Sequence, residues 1–222
     1  MLTRLHISSF VGLTIAVWLF ALWVQGSPIL SLEFVKPFSI VVGIIFSVAA
    51  FFNKSAWAWP IFQGWYVKRP DIRGMWKVEL VSDYVDEETN KPIPAIEAYA
   101  AVRQSLNSLS LRLMTKESRS KLVAHSIVCE EDGLFRLAAV YRNEPKIQLQ
   151  GERSEIHYGS LSLEIYGVPP TGLEGHYWTD RGTRGSMLLK DRRKELYDTY
   201  DLAKAAFDRT PTESELNQHS EN

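Results

Sequence analysis

The amino-acid sequence predicts an N-terminal hairpin of two transmembrane helices, then an all-β, eight-stranded up-and-down antiparallel barrel with one C-terminal helix. Three observations favour this fold class: two long uncharged segments near the start, a series of short β-rich segments after residue 73, and an uneven distribution of charge. Residues 1–68 carry four basic and one acidic residue, whereas residues 69–222 carry 21 basic and 25 acidic residues. The chain therefore divides into a charge-poor part and a charge-rich part.

The first apolar segment, Ile7–Val24, contains eighteen residues without a charge. At about 1.5 Å per residue, a helix of this length crosses most of a hydrocarbon core of roughly 30 Å. A cleaved signal peptide is the alternative, because Arg4 precedes the segment and small residues follow it. A second apolar segment begins about ten residues later and favours a hairpin. We therefore predict a transmembrane hairpin over residues 1–64, with spans at about 7–24 and 34–52, and a linker over 65–73.

The flanking charges predict the orientation of the hairpin. Basic residues precede the first span or follow the second: Arg4, Lys54, Lys68, Arg69 and Arg73. By the positive-inside rule, both termini and the barrel are predicted to lie in the cytoplasm, multi-pass. Small residues at four-residue spacing, Gly12 with Ala16 and Gly43 with Ser47, are of the kind that let membrane helices approach closely.

Short β-rich segments separated by polar breaks predict the barrel over residues 74–190. The predicted strands are 74–84, 95–104, 108–115, 121–129, 134–142, 155–167, 172–180 and 183–190. Short links make successive strands antiparallel neighbours, and eight strands suffice to close a barrel. Alternation places Leu109, Leu111 and Leu113 on the inner face, but leaves the strand 134–142 ambiguous. A helix is predicted over 191–207, with Leu196, Tyr200, Ala203 and Phe207 as its apolar stripe, followed by a flexible tail over 208–222.

Composition and motifs exclude several classes of protein. The net charge of −1 argues against a protein that binds DNA or RNA through contacts to the phosphate backbone. The single cysteine, Cys129, forms no internal disulfide. No phosphate-binding loop, dinucleotide-binding turn or nucleophile elbow is present, and the five histidines lack metal-ligand spacing. The sequence thus predicts no catalytic residues, no metal, no cofactor and no enzyme.

Two places in the barrel sequence suggest a ligand. The first strand begins with Gly74-Met75-Trp76. A Gly-x-Trp at this position also marks lipocalin-like barrels, where the tryptophan closes one end. The alternative is that Trp76 is simply a large residue that plugs the barrel. The hairpin 175–185 alternates aromatic rings, hydroxyls and arginines around Gly182. Aromatic faces stack on bases, and Arg and Thr donate to phosphate oxygens, so this pattern suits a small nucleotide; an aromatic-rich strand with a solvated turn is the alternative. The candidate ligand-binding residues are Tyr177, Thr179, Arg181 and Thr183, with Trp76, Tyr99, Arg103 and Tyr141 as secondary candidates.

The order of these parts resembles the CD-NTase-associated, two-transmembrane β-barrel effectors of bacterial CBASS antiphage systems. The resemblance rests on two N-terminal spans, a Trp-rich linker, the Gly-x-Trp strand, eight strands and the hairpin Gly-His-Tyr-Trp-Thr-Asp-Arg-Gly-Thr at 175–183. It implies a receptor in the bacterial inner membrane whose barrel binds a cyclic dinucleotide made by a partner CD-NTase. Binding then drives homo-oligomerisation, the clustered spans disrupt the lipid bilayer, and the infected cell dies by abortive infection.

Three other functions stay open on the sequence alone. A membrane-tethered lipocalin-like carrier of a lipid or other apolar molecule would have an open, apolar-lined cavity, and a filled barrel would argue against it. An anchored hydrolase would need an acid–base pair that the sequence does not offer. A structural adaptor between membrane and partner would bind no small molecule.

Overall fold

The computed structural model describes residues 4–26, 38–86, 90–149 and 155–209. The predicted loop between the two spans, the polar break at 87–89 and the predicted tail from 210 onward lie outside the described residues. The chain divides into two compact units. One contains the residues up to 69 together with 105–107, and the other contains 70–104 and the residues from 108 onward.

The first unit is helical at both predicted apolar segments. Helix α1 spans Arg4–Gln25 and helix α2 spans Phe38–Lys54. Their contact is made by buried Ala21, Val41 and Ile45, against which Val17 and Trp18 pack. Among the described residues, neither helix combines the length and the apolar character needed to cross a membrane.

The faces of α1 and α2 outside this contact are apolar and exposed. Large exposed side chains include Phe10, Ile15, Phe20, Trp23, Ile40, Phe46 and Phe51. Gly12 and Gly43 also face open space, because a Cβ atom built on either would meet no atom within 4 Å. The predicted small-residue positions thus do not contribute to the α1–α2 contact. After α2, the rings of Phe52, Phe62 and Tyr66 pack edge to face.

The second unit is the predicted eight-stranded barrel, which the structure confirms as closed and antiparallel. In chain order the strands are β1 (Gly74–Ser82), β2 (Val85–Asp86), β3 (Lys91–Pro92), β4 (Ile96–Gln104), β5 (Leu109–Met114), β6 (Ser118–Cys129), β7 (Phe135–Pro145), β8 (His157–Tyr166), β9 (Gly172–Thr179) and β10 (Arg184–Arg193). Strands β4 to β10 pair in succession, and β1 closes the barrel by pairing with both β4 and β10. The short strands β2 and β3 form a separate ribbon in the β1–β4 connection.

Period-two alternation decides which side chains face the interior. Leu109, Leu111 and Leu113 are buried in the core, as predicted. The ambiguous seventh strand is resolved in the same way: Leu137, Ala139 and Tyr141 on β7 point inward. The sequence could not decide between the two faces of this strand because both carry apolar residues. Its pairing with β6 and β8 determines which face points into the barrel.

One end of the barrel, which we call the closed end, is filled by Trp76. This side chain is fully buried, its indole N–H donates to the Ile72 carbonyl at 2.9 Å, and the guanidinium of Arg192 lies 5.5 Å from its ring centroid. Gln104, also buried, accepts from the Ile72 amide and donates to the Pro70 carbonyl, both at 3.0 Å. The buried polar groups of Trp76 and Gln104 therefore have partners within the protein, as is usual in a solid core.

The C-terminal helix begins later than predicted. Helix α3 spans Tyr200–Asp208, whereas the predicted helix began at 191. Residues 191–193 instead extend β10, where Arg193 pairs with Met75 and the register shifts by a bulge at Asp191, which has a φ of 54°. The Thr199 side chain caps the helix by accepting from the Leu202 amide.

The apolar stripe of α3 packs against the outer barrel wall. Tyr200, Ala203 and Phe207 contact a wall cluster formed by Met75, Tyr99, Ala101 and Met114. Leu196, the first predicted member of the stripe, precedes the helix.

Candidate functional site

The end of the barrel opposite Trp76, which we call the open end, contains a cavity of about 870 Å³. It is lined where β1, β5, β7 and β9 end and where β4, β6, β8 and β10 begin. Its floor is apolar, formed by Leu80, Leu111, Leu113, Leu161 and Met187. Below the floor the interior is filled by fully buried Leu137, Leu163, Leu173 and Leu189. The barrel is therefore half core and half cavity.

Two tyrosines on the cavity wall lie over glycines of the neighbouring strands. Tyr141 on β7 is paired in register with Gly159 on β8, and Tyr177 on β9 with Gly185 on β10. A Cβ atom at Gly185 would stand 2.8 Å from Cε1 of Tyr177, and one at Gly159 would overlap the end of the Tyr141 ring. Only glycine leaves room for the ring at either position, so the backbone itself sets where the two rings lie.

The turn between β9 and β10 forms part of the cavity rim. The hydroxyls of Thr179 and Thr183 are 2.7 Å apart, and the Thr179 amide donates to the Thr183 carbonyl at 2.9 Å. Gly182 completes the turn with a φ of 80°. The guanidinium of Arg181 donates to the Glu155 carbonyl at 2.6 Å, which ties the turn to the chain before β8.

The rim is more cationic than anionic. Among the described lining residues, Lys116, Lys121 and Arg181 carry cationic side chains and Glu117 carries a carboxylate, while Asp180 is a second carboxylate close to the cavity. An anion entering this end is therefore favoured by the local charge, although the chain as a whole has a net charge of −1. Burial, and then the neighbouring Tyr177 and Asp180, raise the pKa of Tyr141 to about 12. Its phenol consequently stays protonated and can donate a hydrogen bond.

Five of the predicted ligand-binding residues meet at this cavity: Tyr141, Tyr177, Thr179, Arg181 and Thr183. Trp76, Tyr99 and Arg103 do not line it. Trp76 fills the closed end, as the plug-residue alternative predicts. Tyr99 and Arg103 face outward because Ala98, Ala100 and Val102 occupy the inner face of β4.

On that outer wall, both residues have protein partners. The Tyr99 hydroxyl donates to Glu97 at 2.9 Å, and Arg103 lies 3.7 Å from Asp198. Burial, followed by the hydrogen bond to Glu97, raises the pKa of Tyr99. These interactions hold the wall and the segment before α3 and leave neither side chain facing the cavity.

Several polar cavity residues were not predicted, and three of them, Ser120, Asn143 and His157, lie on neighbouring strands. Asn143 shares the inner face of β7 with Tyr141, so the alternation already contained the signal for it. The predicted strand ended at Arg142, one residue before Asn143. Ser120 was missed for the same reason, because its strand begins three residues earlier than the predicted start at 121.

No metal centre is found within the described ranges, where no group of three or more His, Cys, Asp or Glu side chains could hold an ion. The cavity instead combines aromatic faces, hydroxyls and cations over an apolar floor. This arrangement fits a small organic anion that carries flat rings.

Comparison with known proteins agrees with this arrangement. The model of the family described as Cap15, cyclic dinucleotide receptor domain, matches residues 67–191, which include all eight barrel strands almost to the end of β10. A protein named CD-NTase-associated protein 15 from Yersinia aleksiciae is 26% identical over 187 residues, which cover 82% of this chain and 83% of that protein. The resemblance noted in the sequence is thereby confirmed, and the chain belongs to the Cap15 cyclic dinucleotide receptor domain family.

Proposed function

We propose that the open end of the barrel binds a cyclic dinucleotide made by a partner CD-NTase, and that the chain acts as an antiphage receptor. The observation that carries the proposal is the combination of two glycine-seated tyrosine rings with a cationic rim in one cavity. A cyclic dinucleotide offers two bases to stack and two phosphate charges to pair. A cavity of about 870 Å³ lies within the range typical of small-molecule sites.

The test is calorimetric titration of the full-length chain with a panel of cyclic dinucleotides. We expect at least one member to bind, and we expect Tyr177→Ala and Arg181→Ala to weaken its binding about tenfold or more. Arg103→Ala is the matched control, because it removes an arginine from the outer wall. Failure of the whole panel to bind the wild-type chain would refute the proposal.

The proposed receptor binds its ligand without altering it. The polar side chains of the described lining residues are hydroxyls, the Asn143 amide, the His157 imidazole, three cations and the Glu117 carboxylate, a mixture that suits recognition. We expect a bound cyclic dinucleotide to be recovered intact after long incubation, as measured by chromatography. Conversion to a linear product would indicate a hydrolase.

We further propose that the helical unit places the chain in the bacterial inner membrane, with both termini and the barrel in the cytoplasm. The support is the apolar exposed surface of α1 and α2, together with three basic residues: Lys54, which ends α2, and Lys68 and Arg69, which follow it. We expect the chain to stay in the membrane fraction of bacteria after an alkaline wash. Recovery in the soluble fraction would contradict this placement.

In this proposal ligand binding drives self-association of the helical units, which disrupts the membrane. A ligand shifts assembly only if it binds the assembled state more tightly than the dispersed one. Gly12 and Gly43 lie on exposed helix faces and could admit a second copy of the chain. Gly43→Leu should therefore reduce cross-linked oligomers formed with ligand, whereas the control Val48→Leu on the same helix should not.

Expression in bacteria separates an effector from other receptors. The chain should be tolerated alone and become toxic when co-expressed with a cyclic-dinucleotide synthase. Removal of residues 1–64 should abolish toxicity. Toxicity that persists without these residues would contradict membrane disruption as the mechanism.

A membrane-tethered carrier of an apolar molecule is the second candidate, and the apolar floor of the cavity favours it. The filled lower half of the barrel argues against it, because a long acyl chain has only the upper half available. Titration with a fluorescent fatty acid decides between the two. Displacement of that probe by cyclic dinucleotide, with loss of cyclic dinucleotide binding in Arg181→Ala, would support the receptor.

A further inference from the structure

Three polar side chains form a row across the inner wall of the cavity: Ser120 on β6, Asn143 on β7 and His157 on β8. Asn143 is paired in register with both of the others, so the three are direct cross-strand neighbours with Cβ atoms about 5 Å apart. Ser120 and Asn143 are only 8% and 7% exposed. Polar groups in such positions normally have hydrogen-bond partners. Because this row faces the cavity, a bound ligand can supply them.

The hydrogen bond within the row fixes the direction of the Asn143 amide. The Ser120 hydroxyl donates to Oδ1 of Asn143 at 2.8 Å, which turns Nδ2 the other way. In the part of the chain that the structure describes, no protein acceptor is found for this Nδ2. An amide nitrogen carries two donors, so this Nδ2 can donate to a group that enters the cavity. A ligand that seats here can satisfy it with an acceptor.

His157, beside Asn143, presents a hydrogen-bond acceptor in place of a donor. Nδ1 of His157 lies 3.1 Å from the carbonyl oxygen of Glu155. Because a carbonyl oxygen only accepts, Nδ1 carries the proton, and Nε2 of the neutral ring is left as an acceptor. The row therefore offers the ligand a donor at Asn143 next to an acceptor at His157.

We propose that this row reads the edge of one nucleobase of the ligand, with Ser120 as the positioning residue that keeps the amide in one orientation. The inference rests on the proposed cyclic dinucleotide site. A base edge carries an acceptor next to a donor, which phosphate and acyl groups lack. Guanine and uracil place a carbonyl beside a ring N–H, whereas adenine and cytosine place a ring nitrogen beside an amino group. The acceptor is thus an exocyclic oxygen in guanine and uracil but a ring nitrogen in adenine and cytosine, which shifts its position by one bond. An Asn143–His157 pair held in one geometry therefore distinguishes guanine and uracil from adenine and cytosine.

The test compares affinities across a panel rather than one affinity. Full-length wild type, Asn143→Ala, Ser120→Ala, Ser120→Thr and Arg181→Ala are titrated with cyclic di-GMP, cyclic di-AMP, cyclic di-UMP and cyclic GMP–AMP. A base contact changes the ranking of ligands, whereas a phosphate contact weakens all of them alike. We expect Asn143→Ala to reduce the ratio between the best and the worst ligand at least fivefold, and Arg181→Ala to lower every affinity by a similar factor.

Ser120 tests the positioning step. Ser120→Ala removes the donor that fixes the amide, so the ratio between ligands should fall while the best ligand still binds. Ser120→Thr keeps the hydroxyl and should restore the ratio. Thermal unfolding of each variant identifies any that fail to fold, in which case the Ser120 pair carries the test.

The outcomes distinguish failure of the proposed function from failure of the base-reading row. If no ligand of the panel binds wild type, the proposed function itself fails. If wild type binds but Asn143→Ala and Ser120→Ala leave the ranking unchanged, the cyclic dinucleotide site stands and the base-reading row is refuted.

Discussion

The two ends of the barrel are built from the same eight strands, yet they differ in what fills them. At the closed end Trp76 fills the interior, and the polar groups of Gln104 are paired within the protein. At the open end glycines replace large residues opposite Tyr141 and Tyr177, and the rim is polar. Inner-face residues alternate in the same way at both ends, so the size and polarity of these side chains separate the core from the cavity.

This difference divides the energetic roles of the strands along their length. Residues at the closed end bury apolar surface and determine whether the barrel folds. Residues at the open end leave about 870 Å³ unfilled. This end therefore lacks the close packing of a protein interior, but it has room for a ligand. We therefore expect substitutions at the closed end to change mainly the free energy of unfolding, and substitutions at the open end to change mainly ligand affinity.

The largest effect is expected for Trp76→Ala. Removing a fully buried tryptophan costs about 3–5 kcal/mol of unfolding free energy, because a cavity replaces its contacts with the core and with Arg192. Chemical denaturation measures the loss. Tyr177→Ala at the open end, used as the counterpart, should lower ligand affinity more than stability. Equal losses of stability in the two variants would contradict the division between the ends.

A smaller effect is expected for Gly159→Ala. The new Cβ would lie 2.7 Å from the Trp178 carbonyl oxygen and overlap the Tyr141 ring, so the ring must move. We expect about 1–3 kcal/mol of destabilisation from overpacking and a roughly tenfold loss of cyclic dinucleotide affinity. Ser160→Ala, the next residue, lies on the outer face and serves as control. Unchanged affinity in a stable Gly159→Ala variant would show that the ring position is irrelevant.

Arg181→Ala should act on affinity with little effect on stability. The exposed guanidinium is expected to contribute about 1.4 kcal/mol to binding a phosphate, which corresponds to a tenfold change in Kd. Because its contribution is electrostatic, the difference between wild type and variant should shrink as salt rises from low to high concentration. Calorimetry at two ionic strengths measures it, and a salt-independent difference would point to a packing role.

The smallest effect concerns the outer wall and its pH dependence. Burial disfavours the charged form of Glu97, yet hydrogen bonds from Tyr99, Lys204 and Lys77 lower its pKa to about 2 from 4.5. A lowered folded-state pKa contributes stability above pH 4.5 that is lost as the pH falls towards 2. Because the side chain is one-third exposed, we expect only about 1 kcal/mol.

Unfolding free energies of wild type and Glu97→Gln between pH 6 and 2 measure this contribution. The variant should lack the part of the pH dependence that Glu97 supplies, so the two curves converge at low pH. Parallel curves would show that ionised Glu97 contributes no stability through its contacts with Tyr99, Lys204 and Lys77.

The sequence predicts the barrel well because its inner faces are strongly alternating and its strands are separated by short polar breaks. Leu109, Leu111 and Leu113 illustrate this, since Ser110 and Arg112 separate them. The start of α3 was wrong because residues 191–193 have no apolar alternation, and only pairing with β1 reveals them as strand. The cavity could be predicted only in part, since which residues converge depends on register: Arg103 and Arg181 look alike in sequence but face opposite sides.

Closure of the sheet has a consequence for how copies of the chain behave when crowded. Because β1 pairs with both β4 and β10, the sheet has no free outer strand, but β5 and β6 pair only at 112–114 with 119–121, and β6 continues past that pairing to Cys129. Strand addition between copies gathered at high local concentration is therefore confined to this part of β6. A protein whose proposed activity depends on gathering thus presents one short strand segment to its neighbours, in place of the two outer strands of an open sheet.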